Sequence, residues 1–228
     1  MHQSLIALPP IIVTAAFLWG QYSKNVYQNK SNEKVKIYLS GFNKADKYKE
    51  SIYNKLNNNA IGIAYNKLNK IDEINQLITF FLQNLPEYKI IVRPHPGDNR
   101  QIKKQNGIST SLAKYESSLE YLTRIDYLVS GNSSILLEAA IMNVLPIQYT
   151  GFQNSKEYLN DYYGFIKQGV ALPARNYSEI IDIIKYHKDK SENYRIRAKP
   201  YDASIGSAHE FNVEKYILNI LKQEFNIY

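Results

Sequence analysis

Tyr88-Lys89-Ile90-Ile91-Val92, running into Arg93-Pro94-His95-Pro96-Gly97-Asp98, decides how this chain folds. A near-continuous apolar run of this length is what a strand buried on both faces of a parallel sheet looks like. It is halted by a pair of prolines around a histidine. Outward from it the same pattern recurs, with short β-branched runs at 35–39, 60–65, 108–110, 126–129, 144–149 and 170–173. Between and after them lie segments whose apolar residues recur at three and four, at 46–56, 72–84, 117–122, 135–142, 178–186 and 213–225. The segment 72–84 shows the stripe best: Ile74, Leu77, Ile78, Phe81 and Leu82, then Leu85, closed by Pro86. Five or six of these runs as short strands, alternating with helices, predict an α/β class, a doubly wound, mostly parallel, Rossmann-like sheet. In such sheets ligands bind at the carboxyl ends of the strands.

Composition narrows the chemistry. The chain has 228 residues, 44% hydrophobic and 21% charged, which fits a globular protein with a real core. It has no cysteine, so disulfides, thiolate metal sites, iron–sulfur clusters and a cysteine nucleophile are all excluded. The net charge of +7 admits anionic partners, including a peripheral contact with an inner membrane surface. Its lysines are mostly single, among Asn and Tyr, with no basic run, so a solvated surface is expected and no specific nucleic acid. Residues 5–19 are apolar apart from Thr14, but a spanning helix needs about 20 such residues and Pro9-Pro10 interrupts this one. An extended or hinge segment is expected there, followed by an amphipathic stretch after Trp19-Gly20.

Two turns that follow strands carry the chemistry. In Arg93-Pro94-His95-Pro96 the flanking prolines stiffen the backbone, so the imidazole loses little freedom on binding. His95 is therefore the candidate catalytic residue, donating to a phosphate oxygen as charge develops on a leaving group. The alternative is a turn histidine satisfied by backbone. Ser130-Gly131-Asn132-Ser133-Ser134 leads into the apolar helix 135–142, and a glycine-containing turn before a helix start suits a phosphate. One Ser or Asn acting as a helix cap is the alternative. Glu138, one turn inside, is expected either to meet a ribose hydroxyl or to pair with a lysine. Gly41, Asn43, Tyr65 and Asn66 end the first two strands and are candidates for lining the crevice. No Walker or dinucleotide glycine pattern is present, no His or carboxylate cluster has metal-ligand spacing, and no cofactor is implied.

Strand-Arg-Pro-His-Pro, followed 38 residues on (133 minus 95) by Asp-x-x-x-Ser-Gly-x-Ser-Ser-x-x-x-Glu-Ala over 126–139, resembles a known family. The resemblance is to the carboxyl-terminal, donor-binding domain of bacterial surface-polysaccharide transferases of GT-B architecture. These include sialyltransferases with His-Pro and Ser-Ser motifs, polysialyltransferases and CDP-glycerol glycerophosphotransferases. It implies a nucleotide-sugar (donor) binding domain over 35–228, with 1–34 a linker and remnant of an amino-terminal domain. His95 would assist departure of the donor phosphate, Ser133 and Ser134 would bind phosphate or nucleotide, and Arg93, Ser130, Gly131, Asn132 and Glu138 would complete the donor site.

The implied partners are a nucleotide-activated sugar, a CMP-linked one first, a glycan acceptor, and a separate or missing amino-terminal domain. The implied setting is the cytoplasm, at the inner face of the membrane, in capsule or lipooligosaccharide synthesis. Two departures shape the expectation. The family's acidic-acidic-Gly base has no counterpart, since Asp72-Glu73 is followed by Ile74, and the residue eight beyond Glu138 is Pro146, which fails the retaining Glu-x7-Glu pattern. An inverting, metal-independent transferase lacking its acceptor half is expected. The alternatives are a CDP-glycerol-type transferase and a domain that binds nucleotide or a protein partner without turnover.

Overall fold

The computed structural model describes residues 13–28, 35–55, 57–152, 161–188 and 192–226. By packing, the chain divides into two compact units, one continuous over Glu50–Arg195 and one made of residues up to Lys49 together with Ile196 onward.

The continuous unit is a parallel sheet with helices on both faces. Its strands are β3 (Ala60–Tyr65), β4 (Lys89–Pro94), β5 (Ile108–Thr110), β6 (Tyr127–Ser130), β7 (Leu145–Tyr149) and β8 (Leu172–Ala174), in the spatial order β5-β4-β3-β6-β7-β8. Every pairing is parallel. Renumbered from the first strand of this sheet, the order is 3-2-1-4-5-6, that of dinucleotide-binding folds. The chain reverses its direction of travel across the sheet between β3 and β6, so the crevice belongs at their carboxyl ends. Register brings those ends level: Tyr65 lies opposite Pro94, and Ala64 opposite Ser130. The loops after β3, β4 and β6 therefore emerge side by side.

Side-chain alternation divides the core between two helix layers. Ile61, Ile63, Ile90, Val92, Val129 and Ile147 face α3 (Ile71–Asn84) and α6 (Tyr177–His187) in one cluster. Ile74, Leu77, Ile78 and Phe81 of α3 are fully buried there, each contributing roughly 1.5–3 kcal/mol. α6 is capped by Asn176, whose side chain accepts from the Glu179 N–H at 2.9 Å. α5 (Ile135–Ile141) packs with the sheet at β6 and β7, and its neighbour α4 (Ser118–Thr123), begun by a reciprocal Ser117–Glu120 capping box, reaches β4 through the Tyr121 hydroxyl, which donates to Ile91 O at 3.2 Å. Gly62 is required in central β3 because a Cβ there would collide with the Tyr121 hydroxyl and the Ile125 side chain.

The discontinuous unit holds β1 (Ala15–Leu18) and β2 (Lys36–Leu39), paired in parallel, with α1 (Gln21–Gln28) and α7 (Val213–Phe225). The short helix α2 (Lys49–Tyr53) spans the residue at which the division falls. Asp202, fully buried, accepts from the backbone N–H groups of Phe42 and Ser204, each at 3.0 Å, and from the Ser204 hydroxyl at 2.6 Å. Gly41 packs against this group at φ +91°, where any side chain would meet Ser204.

Two expectations differ from what is found. The segment 35–39 was expected to open the large sheet, whereas β2 pairs with β1 in the other unit, as its register shows. By packing, the last helix belongs with β1 and β2 and not with the continuous unit. The helix expected over 46–56 is a 3-10 turn, Asn43–Tyr48, followed by α2, and within the turn the Asp46 carboxylate accepts from the Val213 N–H at 2.9 Å. Residues 1–12, which carry most of the apolar amino-terminal run, lie outside the described residues. The rest of that run is β1, an extended segment, and no helix among the described residues is long and apolar enough to cross a membrane.

Candidate functional site

A cavity of about 210 Å³ opens at the carboxyl ends of β3, β4 and β6. Arg93, His95, Ser133, Ser134 and Glu138 all line it, so the two turns separated in sequence meet here. Tyr65 and Asn66, at the end of β3, also contribute to its wall.

The His95 turn is built to hold the ring still. The backbone N–H of His95 donates to Tyr65 O, and its carbonyl accepts from Asp98 N–H, both at 2.8 Å. The Gly97 N–H donates to Nδ1 of the ring at 3.1 Å. An acceptor at Nδ1 puts the neutral ring's proton on Nε2, so the free nitrogen is a donor. The turn reading and the ligand reading are thus compatible: backbone occupies one ring nitrogen and leaves the other.

Behind it stands a clamp that sequence reasoning missed. Asp98, whose carboxylate is fully buried, binds the Arg100 guanidinium at 2.6 Å. Arg100 donates in turn to the carbonyls of Asn66 and Asn69, each at 2.9 Å, tying the loop after β3 to the loop after β4. Hydrogen bonding and the charge of Arg100 hold the Asp98 carboxyl below its ordinary range. The only local signal was Asp-Asn-Arg after the Pro-His-Pro turn, and nothing in it pointed 31 residues back to Asn69.

Arg93 comes into the cavity through a different support. Its guanidinium donates to the Ser111 hydroxyl and to Glu116 O at 3.0 Å, and it lies over the Tyr121 ring, 5.4 Å from the centroid. Burial pulls its pKa down, against the opposing carboxylates of Glu116 and Glu138. The side chain is 6% exposed, so its charge reaches the cavity through a dry surrounding.

The serine turn is arranged differently along its length. Ser130 is buried, and its hydroxyl donates to Ala64 O at 2.8 Å, which secures β6 to β3. Gly131 passes close to Asn69, whose Nδ2 would stand 3.1 Å from an added Cβ. Neither residue lines the cavity, nor does Asn132, whose Oδ1 is buried without a hydrogen-bond partner. Ser133 and Ser134 do line it, and Ser134, at the helix start, makes no side-chain capping bond. α5 has only seven residues, so few peptide dipoles align and an anion here depends chiefly on side chains. Glu138 Oε2 is buried without a hydrogen-bond partner, which leaves an acceptor at the wall. Ser118, at the start of α4, also lines the cavity; the Ser117-to-Glu120 capping pattern was its sequence signal.

Gly41 and Asn43 belong to the other unit, where Gly41 packs on Ser204 and Asn43 Nδ2 donates to Glu214 Oε1 at 3.4 Å. No three His, Asp or Glu side chains among the described residues are grouped to hold a metal ion.

No family model matches the chain, and no curated protein does. Solved structures match its fold. The UDP-GlcNAc 2-epimerase of Neisseria meningitidis, bound to UDP-GlcNAc, superposes with a TM-score of 0.59 at 14% identity, covering 92% of this chain and 61% of its own. MnaA of S. aureus, in a structure with UDP, gives 0.53 at 11% identity, over 91% and 59%. CalG4, the calicheamicin glycosyltransferase, gives 0.53 at 12% identity, over 94% and 54%. The fold is that of Rossmann-like GT-B domains. The chain spans less than two thirds of the length of each of these structures. Nothing in the likeness singles out sialyltransferases or CDP-glycerol transferases.

Proposed function

We propose that this chain carries the donor-binding domain of a glycosyltransferase-like enzyme, and that the cavity at the sheet's switch point receives the phosphate of a nucleotide-activated sugar. One observation carries the reading: Arg93 and His95 from one turn, and Ser133, Ser134 and Glu138 from another, line a single cavity at the crevice between β3 and β6. At about 210 Å³ it fits a phosphate and its neighbouring atoms, being smaller than the roughly 300–1,000 Å³ of whole-ligand pockets. In the proposed reaction an acceptor hydroxyl attacks the anomeric carbon. The bond from that carbon to the phosphate oxygen breaks, and its electron pair leaves on the oxygen. Nε2–H of His95 and the serine hydroxyls donate to that oxygen, Arg93 supplies positive charge, and Glu138 accepts from a ribose hydroxyl. The acceptor's proton goes to a base supplied by an acceptor half.

The motif resemblance favours a CMP-linked donor and a bacterial surface glycan as acceptor, made at the inner face of the cytoplasmic membrane. The neighbours' bound UDP and UDP-GlcNAc favour a uridine nucleotide as the second reading. Melting curves with CMP, CDP and UDP test both. Stabilisation by one of them, lost in His95→Ala and in Ser133→Ala, is the expected result. Indifference to all three overturns the donor reading, and stabilisation with no transfer in the presence of an acceptor half leaves binding alone.

A further inference from the structure

Beside the cavity, across the wall formed by Tyr65 and Pro94, lies a second and larger cleft of about 740 Å³. It runs along the loop between β4 and β5, and none of the reactions above uses it. Asn99, Gln101 and Gln105 supply amide groups, and Arg100, Lys103 and Lys104 supply cations. The one carboxylate in the lining, Asp98, is already bound to Arg100 at 2.6 Å. Lys103 and Lys104 are exposed, and neither is in an ion pair among the described residues. Ile102 and Leu112 add apolar surface, Leu112 being 45% exposed.

We infer that this cleft binds an anionic oligosaccharide, a chain of sugar units carrying carboxylate or phosphate groups. Side-chain amides match sugar hydroxyls as both donors and acceptors. The apolar patches match the C–H faces of sugar rings, and the two uncompensated lysines match acidic substituents. Nucleic acid fits less well, because it needs bases stacked on exposed aromatics, and the one aromatic in the lining, Tyr65, is 4% exposed. An acidic peptide adding to the edge strand β5 would find only three residues to pair with. The choice of a glycan also rests on the donor reading of the adjoining cavity, since a growing acidic glycan would then lie next to the transferring phosphate.

Calorimetric titration of the full chain with tetragalacturonate, a carboxylated tetrasaccharide, tests this against neutral maltotetraose, tetraglutamate and a short single-stranded oligonucleotide. Saturable binding of tetragalacturonate is expected, tighter than any of the other three. The double variant Lys103→Gln/Lys104→Gln is expected to weaken it about tenfold while its melting temperature and its affinity for the stabilising nucleotide stay unchanged. Equal binding of tetraglutamate or the oligonucleotide, no loss in the lysine variant, or a parallel loss of nucleotide affinity would each overturn the inference. Nucleotide binding measured in the same samples separates the two readings. Its absence alone sinks the donor site, and the absence of tetragalacturonate binding alone sinks the cleft.

Discussion

The two rims of the six-stranded sheet use their polar groups in opposite ways. At the amino rim they are consumed by one another: the Asp126 carboxylate accepts from the N–H groups of Asn58 and Ala60 at 3.1 Å, and the Asn58 side chain donates to Thr123 O at 3.2 Å. At the carboxyl rim the turn backbones are also bonded, but His95, Ser133, Ser134 and Glu138 line a cavity. One rim holds the fold, and the other is held by it. Lys55 breaks the pattern at the amino rim, with a buried Nζ lacking any hydrogen-bond partner.

Substitutions at the two rims should therefore separate stability from binding. The largest effect is expected from Asp126→Ala, which leaves two strand-entry N–H groups without a charged acceptor. It should cost about 2–4 kcal/mol in denaturant unfolding and leave the affinity of the folded protein for nucleotide unchanged. A loss of affinity with stability intact would break the comparison. Next, Ser133→Ala/Ser134→Ala should weaken binding of the stabilising nucleotide by roughly 10–100-fold, or about 1.4–2.8 kcal/mol. Its effect on unfolding in the absence of ligand should be about 0.5 kcal/mol or less, since Ser134 makes no capping bond. A large loss of stability there would mean that these hydroxyls serve the fold.

Lys55 sharpens the comparison through pH. Burial lowers its pKa from 10.5 to about 8, against the attraction of Asp126. The unfolded chain therefore binds more protons between those two values, so this residue makes stability rise as pH climbs from about 8 to 10.5. Below pH 8 the penalty of burying the charge is fully present. Lys55→Met should stabilise the protein by about 1–2 kcal/mol at pH 7, and the advantage should shrink toward zero by pH 10.5. A pH-independent difference would show that packing, not charge, sets the effect. The smallest effect is expected from Arg100→Lys. It keeps the charge but loses the fork that reaches both Asn66 and Asn69, and should weaken nucleotide binding about two- to fivefold by loosening the loop behind His95.

How much of this was legible follows from where the partners lie. β3 is found at 60–65 as expected, and β4 and β7 within two residues of expectation, because strands buried on both faces are written as unbroken apolar runs. β1 reads in the sequence only as an extended segment, since its strand character depends on pairing with β2, 21 residues onward. The sequence does not separate β2 from the large sheet, because four residues, Lys-Ile-Tyr-Leu, do not name their partner. Both turns of the candidate site could be picked out by local chemistry. Their internal division could not: Ser130 and Ser133 are the same residue type three positions apart, yet the Ser130 hydroxyl is tied to Ala64 O while Ser133 lines the cavity. The cleft at Lys103 and Lys104 carries no motif, so it emerged only from the shape of the loop.

The discontinuous unit has a consequence for the order of assembly. Phe42 is joined to Asp202 and Lys36 to Glu224 across 160 and 188 residues, whereas the large sheet is written in one uninterrupted stretch. During synthesis the sheet can close while the carboxyl-terminal segment is still being translated, and its folding draws the two ends together, reducing the loop-closure entropy for the segments that follow. β1 and β2 can pair with each other early, but the Lys36 and Tyr38 side chains gain Glu224 only once α7 has been made, so this early-made segment is finished last.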